Sequence, residues 1–223
     1  MERNDQNEYC WYKEVCDRES CKLCVKFLEM NFLMTNSNLP KAKQRAIKLQ
    51  IPDRDREAYA KLSEIKHDID NFVYEGRNLY IGSENTGTGK TSWAIKLMHS
   101  YFNFIWDGNG LRERAVFVHV PTFLMKCKEF NENDRDFARL RKLIMEVDLV
   151  VWDDIASTDM SAYDLAQLEP FIDYRLLSEF SNIFTSNYAD REKLSKVLGE
   201  RLTSRVWSKN NTEVIIFKGG DIR

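Results

Sequence analysis

The sequence predicts an α/β fold in which short buried strands alternate with helices. Three stretches carry that expectation. Asn78-Leu79-Tyr80-Ile81-Gly82 is a run too short for a helix, and it passes through a glycine-bearing loop into residues with helical spacing. Leu149-Val150-Val151-Trp152 is a second apolar run, closed by Asp153 and Asp154. Asn182-Ile183-Phe184-Thr185-Ser186-Asn187 is a third, with a polar tip. Such runs suit buried strands of an α/β core.

The loop after the first run carries chemistry. Gly87 and Gly89 let successive backbone N–H groups turn toward one anionic oxygen, and the helix starting near Lys90 points its positive end at the same place. Lys90 is expected to reach the β- and γ-phosphates, and the Thr91 hydroxyl to ligate Mg²⁺. Asn85, Thr86, Gly87, Thr88, Gly89, Lys90, Thr91 and Ser92 are the expected nucleotide contacts. Ala94, Leu97, Met98, Tyr101, Phe102 and Ile105 follow at helical spacing. The strict phosphate-loop pattern has glycine where this chain has Glu84, so the match is to G-x-G-K-T.

The carboxylates closing the second run are the natural counterpart. Asp153 suits the Mg²⁺ shell, directly or through water. Asp154 stands where many ATPases use glutamate to polarise the attacking water, and is one methylene shorter. Asn187 lies at the carboxyl end of its strand, where open parallel sheets bind ligands; it is either a γ-phosphate or water contact or a plain turn residue. Arg201 and Arg205 stand four apart on one helix face, as a local ion-pairing residue and a candidate arginine finger for a neighbouring subunit's nucleotide.

At 223 residues, 43% hydrophobic and 30% charged, the chain has length for one sizeable core and a small appendage. A net charge of −2 excludes a global basic field, so nucleic-acid contact has to come from a local patch. No apolar run reaches the length of a membrane span and Met1 to Glu8 is polar and acidic, which favours a cytoplasmic protein. Cys10, Cys16, Cys21 and Cys24 are spaced C-x5-C-x4-C-x2-C. They predict either a structural Zn²⁺ site or free thiols, with Cys10 and Cys24 buried beside Trp11 and Phe27.

Val25 to Met34 reads as a short helix and Thr35 to Pro40 as a linker. Lys41, Lys43, Arg45 and Lys48 form a basic run that faces DNA, a partner or only solvent. From Pro52-Asp53 to Gly76 a single long helix is expected, with Tyr59, Leu62, Ile65, Ile69, Phe72 and Val73 on one stripe. After the helix to about Trp106 and a turn at Asp107 to Gly110, Ala115 to Val120 reads as a strand, followed by helices over 122–131 and 134–146. In the second, Phe137, Leu140, Ile144 and Val147 face inward, while Arg135, Arg139 and Lys142 line an outer face that meets either a phosphate backbone or water. Leu165 to Phe180 reads as a helix and Glu213 to Phe217 as the last strand. The expected organisation is a zinc-binding module over 1–50, a linker helix over 51–76 and an ATPase domain over 77–223.

The order Gly-Thr-Gly-Lys-Thr, Val-Val-Trp-Asp-Asp-Ile, Phe-Thr-Ser-Asn and Glu-Arg-Leu-x-Ser-Arg resembles the AAA+ ATPases of the replication-initiator and helicase-loader clade. Within it the chain looks most like the bacterial DnaC/DnaI type and its phage-encoded relatives, over about residues 77–223 and more weakly over 8–75. The resemblance implies a P-loop NTPase of the ASCE kind: a three-layer αβα domain, a five-stranded parallel sheet of order 5-1-4-3-2, no C-terminal lid, and a small helical zinc-binding region in front. It implies ATP and Mg²⁺ at Lys90 and Thr91, Asp153 and Asp154 as the Walker B pair, Asn187 as sensor 1, and Arg205 or else Arg201 as the finger in trans. The implied activity is slow, assembly-stimulated ATP hydrolysis by an oligomer joined through its nucleotide interfaces. That oligomer would sit on single-stranded DNA, with the 122–146 insertion as a contact, and deliver a DnaB-type replicative helicase through its N-terminal module. An IstB-like transposition helper on duplex DNA and a non-catalytic helicase-binding adaptor or inhibitor are the rival readings.

Overall fold

The computed structural model describes residues 24–44, 49, 52–104, 111–129, 134–157, 160–208 and 210–221. Cys10, Cys16 and Cys21, the basic residues Arg45 and Lys48, Ile105 and the turn at 107–110 lie outside the described residues.

Among the described residues five strands form one parallel sheet: β1 (Asn78–Gly82), β2 (Ala115–His119), β3 (Leu149–Asp153), β4 (Ser181–Ser186) and β5 (Thr212–Ile216). Their spatial order is β2-β3-β4-β1-β5, the 5-1-4-3-2 arrangement expected from the resemblance. Asn78 stands opposite Asn182 on one side and Thr212 on the other, and His119 stands opposite Asp153.

Successive strand residues feed opposite faces, as the pleat requires. Leu79, Ile81, Leu149, Val151 and Ile183 enter one core with helices α1 (Val25–Asn36), α2 (Arg56–His67), α3 (Ile69–Tyr74) and α4 (Lys90–Phe104). Tyr80, Val150, Trp152 and Phe184 enter the other with α5 (Val120–Lys128), α6 (Arg135–Glu146), α7 (Ala162–Leu177) and α8 (Arg191–Val206). Three layers result, with β1, β3 and β4 buried throughout and the edge strand β5 mostly half-buried.

The apolar stripe expected over 52–76 is buried in full, from Tyr59 to Val73. The single long helix is not formed. One tight helical turn at Asp53–Asp55 precedes α2, and the chain breaks at Asp68, whose carboxylate accepts a 2.6 Å hydrogen bond from Asn71. An aspartate that bonds locally offers the backbone an alternative to the helix ladder, and here it ends α2 and starts α3. β2 stops at His119, one residue short of the expected Val120, and Pro121 sits in the first turn of α5, where a missing N–H costs nothing.

The β2 edge is covered. The Phe117 N–H donates to the Ser37 carbonyl at 2.8 Å, and the Asn38 side-chain amide donates to the Phe117 carbonyl at 2.8 Å. Met30, Leu33, Met34 and Leu39 bury into the same core as α2 to α4.

Arg175 is 0% exposed and binds the lower end of the sheet together. Its guanidinium donates to the Ile144 and Val147 carbonyls (2.8 Å each), the Asp148 carbonyl (3.2 Å), the Ser181 carbonyl (2.7 Å) and Asn182 Oδ1 (2.8 Å). Burial pushes its pKa down to about 9, with Asp148 opposing the shift. A cation at the end of α6 also complements the negative end of that helix.

Candidate nucleotide site

The loop from Ser83 to Gly89 joins β1 to α4 at the carboxyl edge of the sheet. Gly87 (φ 69°) and Gly89 (φ 90°) both take left-handed backbone, which a side chain would resist. Thr88 between them is buried, and Lys90 is only 8% exposed. Lys90 Nζ folds back over the loop, donating to the Asn85 carbonyl at 2.9 Å and to Thr88 Oγ1 at 3.4 Å. Glu84, in the place of the pattern's first glycine, points outward and pairs with Lys193 of α8, so the loop keeps its turn. Ser92 follows in the first turn of α4.

Asp153 closes β3 at 5% exposure. Its Oδ1 accepts two hydroxyl hydrogen bonds of 2.7 Å, from Thr91 at the start of α4 and from Thr185 on β4. Burial raises the Asp153 carboxyl above its ordinary value. The two hydroxyl bonds and His119 oppose that shift, and the Asp154 charge adds to it. A buried carboxylate with its charge disfavoured gains from a cation beside it.

Asp154 takes left-handed backbone (φ 62°), which turns its side chain toward the tip of β4. There Asn187 Nδ2 donates to Asp154 Oδ1 at 3.1 Å, and Thr185 Oγ1 accepts the Asp154 N–H at 2.9 Å. Thr185 therefore fixes both acids at once. It stands two residues before Asn187, and that spacing within a strand run was the one signal in the sequence that could have found it. His119 was also missed. It sits beside Asp153 across the β2/β3 pair, with Nδ1 2.8 Å from Thr122 Oγ1.

The expected site residues from Asn85 to Ser92, Asp153, Asp154 and Asn187 thus come together. Arg201 and Arg205 do not join them. They lie on α8 beyond a kink at Gly199 and pair with α7: Arg201 with Glu169 (3.6 Å) and Asp173 (3.4 Å), Arg205 with Asp173. Of the outer-face cations, Arg139 pairs with Glu113 (2.6 Å) and Lys142 with Glu146 (3.7 Å), while Arg135 is exposed. Cys24 is half-buried at the start of α1, and its three expected zinc partners lie outside the described residues.

The donor set beside the loop suits Mg²⁺. Thr91 Oγ1 and the Asp153 carboxylate are hard oxygens in contact, and Mg²⁺ is ordinarily held by one or two carboxylates together with substrate phosphates and water. Among the described residues no group of three or more His, Cys, Asp or Glu is placed to hold a metal, so a caged all-protein site is not what these residues form. Among them, too, no helix is long and apolar enough to cross a membrane.

The chain matches no protein-family model and no curated protein. Solved structures do match. The DnaC helicase loader superposes with a TM-score of 0.63 at 20% identity, over 83% of this chain and 98% of that one. DnaI gives 0.61 at 20% identity, over 83% and 94%. The replication initiator DnaA bound to AMPPCP and single-stranded DNA gives 0.58 at 18% identity, over 75% of this chain and 48% of that one, so this chain spans about half of DnaA. At these identities the likeness is one of fold: this chain shares its three-layer α/β fold, built on a five-stranded parallel sheet, with DnaC, DnaI and DnaA.

Proposed function

We propose that the chain is an ATP-dependent replicative helicase loader. The observation that carries the ATPase part is the meeting of Thr91, Asp153 and Thr185 within two 2.7 Å hydrogen bonds, beside a glycine loop capped by Lys90. In this reading the loop amides and Lys90 hold the β- and γ-phosphates, and Thr91 and Asp153 hold Mg²⁺, which supplies charge neutralisation on the phosphoryl oxygens. Asp154, oriented by Asn187, positions the attacking water and takes its proton.

Arg201 and Arg205 supply no charge to their own loop, which fits a finger that acts on the neighbouring copy. Hydrolysis is then slow in the single chain and rises with assembly, because the transition-state charge is completed only across an interface. The loader part of the reading is supported by the fold, which extends over nearly the whole length of the DnaC and DnaI structures. Residues 1–50, with Zn²⁺ on Cys10, Cys16, Cys21 and Cys24, are assigned to a DnaB-type helicase, residues 51–76 to a linker, and 77–223 to the ATPase. Single-stranded DNA is assigned to the assembled ATPase domains, and the compartment to the cytoplasm. Capture of purified replicative helicase by the full chain tests this, with ATP, with ADP, and with K90A. Capture in the same amount by K90A with either nucleotide refutes an ATP-controlled loader and leaves an adaptor.

A further inference from the structure

The tail that follows β5 returns to the phosphate loop and is pinned there. The Phe217 N–H donates to the Gly82 carbonyl at 2.8 Å, so the chain leaves the sheet at the root of the loop. Next, the Lys218 N–H (2.7 Å) and the Gly219 N–H (3.1 and 3.2 Å) donate to the Asp55 carboxylate. The Asn85 side-chain amide donates to the Gly219 carbonyl at 2.8 Å. Asp221 then lays its carboxylate against Gly87, on the side where a Cβ would project. Asp55 is 2% exposed, and a Cβ at Gly219 would strike it, so the root of the tail has one fitted position. Asp221 itself is exposed.

A buried acid ahead of α2 therefore fixes a tail that sets a carboxylate on one of the two glycines shaping the anion site. A loop built to attract negative charge attracts that of its own chain as well. A triphosphate arriving there meets a like charge at close range, and because Asp221 is exposed that repulsion weakens as salt rises.

We propose that the segment 217–221 is a built-in competitor for the nucleotide. With Asp221 on Gly87 the loop is closed to a triphosphate; it opens when 219–221 lifts from Asn85 while Asp55 keeps the root in place. Apparent affinity is then the intrinsic affinity scaled by the open fraction. The inference rests on the nucleotide reading of the loop and adds a control to it.

Calorimetric titration of the full chain with ATP and Mg²⁺ tests it, comparing wild type with D221N and D55N. D221N, at an exposed position, is expected to bind ATP about tenfold more tightly, with the gain shrinking at high salt. D55N, if folded, is expected to move the same way, and the double variant to bind no more tightly than the better single one. A D221N affinity equal to or weaker than a measurable wild-type affinity overturns the tail as competitor and leaves the nucleotide site standing. Failure of both wild type and D221N to take up ATP overturns the nucleotide reading, and the tail with it.

Discussion

Replacing Asp153 by asparagine is expected to stabilise the metal-free protein while removing its response to Mg²⁺. Both hydroxyl bonds, from Thr91 and Thr185, go to the same oxygen, Oδ1. The amide oxygen of an asparagine keeps both, and its NH₂ takes the place of Oδ2, to which no hydrogen bond from the described residues is directed. What is lost is a charge that is 95% buried and whose carboxyl is held above its ordinary value by that burial. The gain is put at about 1–2 kcal/mol, in the range of substitutions that relieve a strained functional site. For a chain of this length that is a rise in Tm of roughly 3–6 °C. The pH dependence gives the sign independently. A carboxyl with a raised folded pKa binds its proton more tightly folded than unfolded. Wild-type stability therefore falls as pH climbs from the ordinary carboxylate range through the raised value, and then levels off. D153N lacks this fall, so the difference between the two proteins opens across that window and is full at neutral pH. Thermal melts in chelator from acidic to neutral pH, repeated with Mg²⁺ and ATP, measure both effects. A D153N protein that melts below wild type in chelator at neutral pH, or a difference that does not change with pH, refutes the account of Asp153 as a charge waiting for a cation.

Thr185→Val keeps shape but strips Asp153 of one hydroxyl bond and the Asp154 N–H of its acceptor; ATP hydrolysis should fall about 10–100-fold with less than about a threefold change in ATP affinity, read by steady-state kinetics and calorimetry. Arg205→Ala should bind ATP as wild type does yet lose about 100-fold or more of its assembly-stimulated hydrolysis, and mixing it with K90A should restore part of the rate, because each supplies what the other lacks; absence of any rescue argues against a finger in trans. Arg175→Met takes one donor from each of four backbone carbonyls and from Asn182 Oδ1, of which the Asp148 carbonyl keeps the Ser181 N–H and Asn182 Oδ1 keeps Trp152 Nε1, and should cost about 3–5 kcal/mol by urea unfolding. A loss under about 1 kcal/mol would mean that the cost of burying the guanidinium cancels what its bonds contribute.

The turn after β1 was legible because its backbone demands glycine, and a demand for left-handed φ at Gly87 and Gly89 is written directly in residue type. The carboxylate pair was legible because four apolar residues ending in two acids leave few other readings. Arg175 was not, since its partners are mostly carbonyls, which every residue carries and no side-chain pattern reveals. The break at Asp68 hid inside a stripe whose spacing two helices satisfy as well as one. Glu84 departs from the strict loop pattern, and only the position of Lys193 on a helix more than a hundred residues later shows where its charge goes. The return of the tail to Asp55 was invisible for the same reason, because its contacts are made by main-chain amides.

The meeting of Ser37 and Asn38 with Phe117 bears on how copies of this chain can join. With Phe117 in the middle of the β2 border bonded through both its N–H and its carbonyl to its own polypeptide, a second molecule's strand finds the ladder interrupted there, which disfavours a continuous intermolecular sheet on that side. Any contact between copies on that flank is left to side chains, a more reversible joint than a zipped strand.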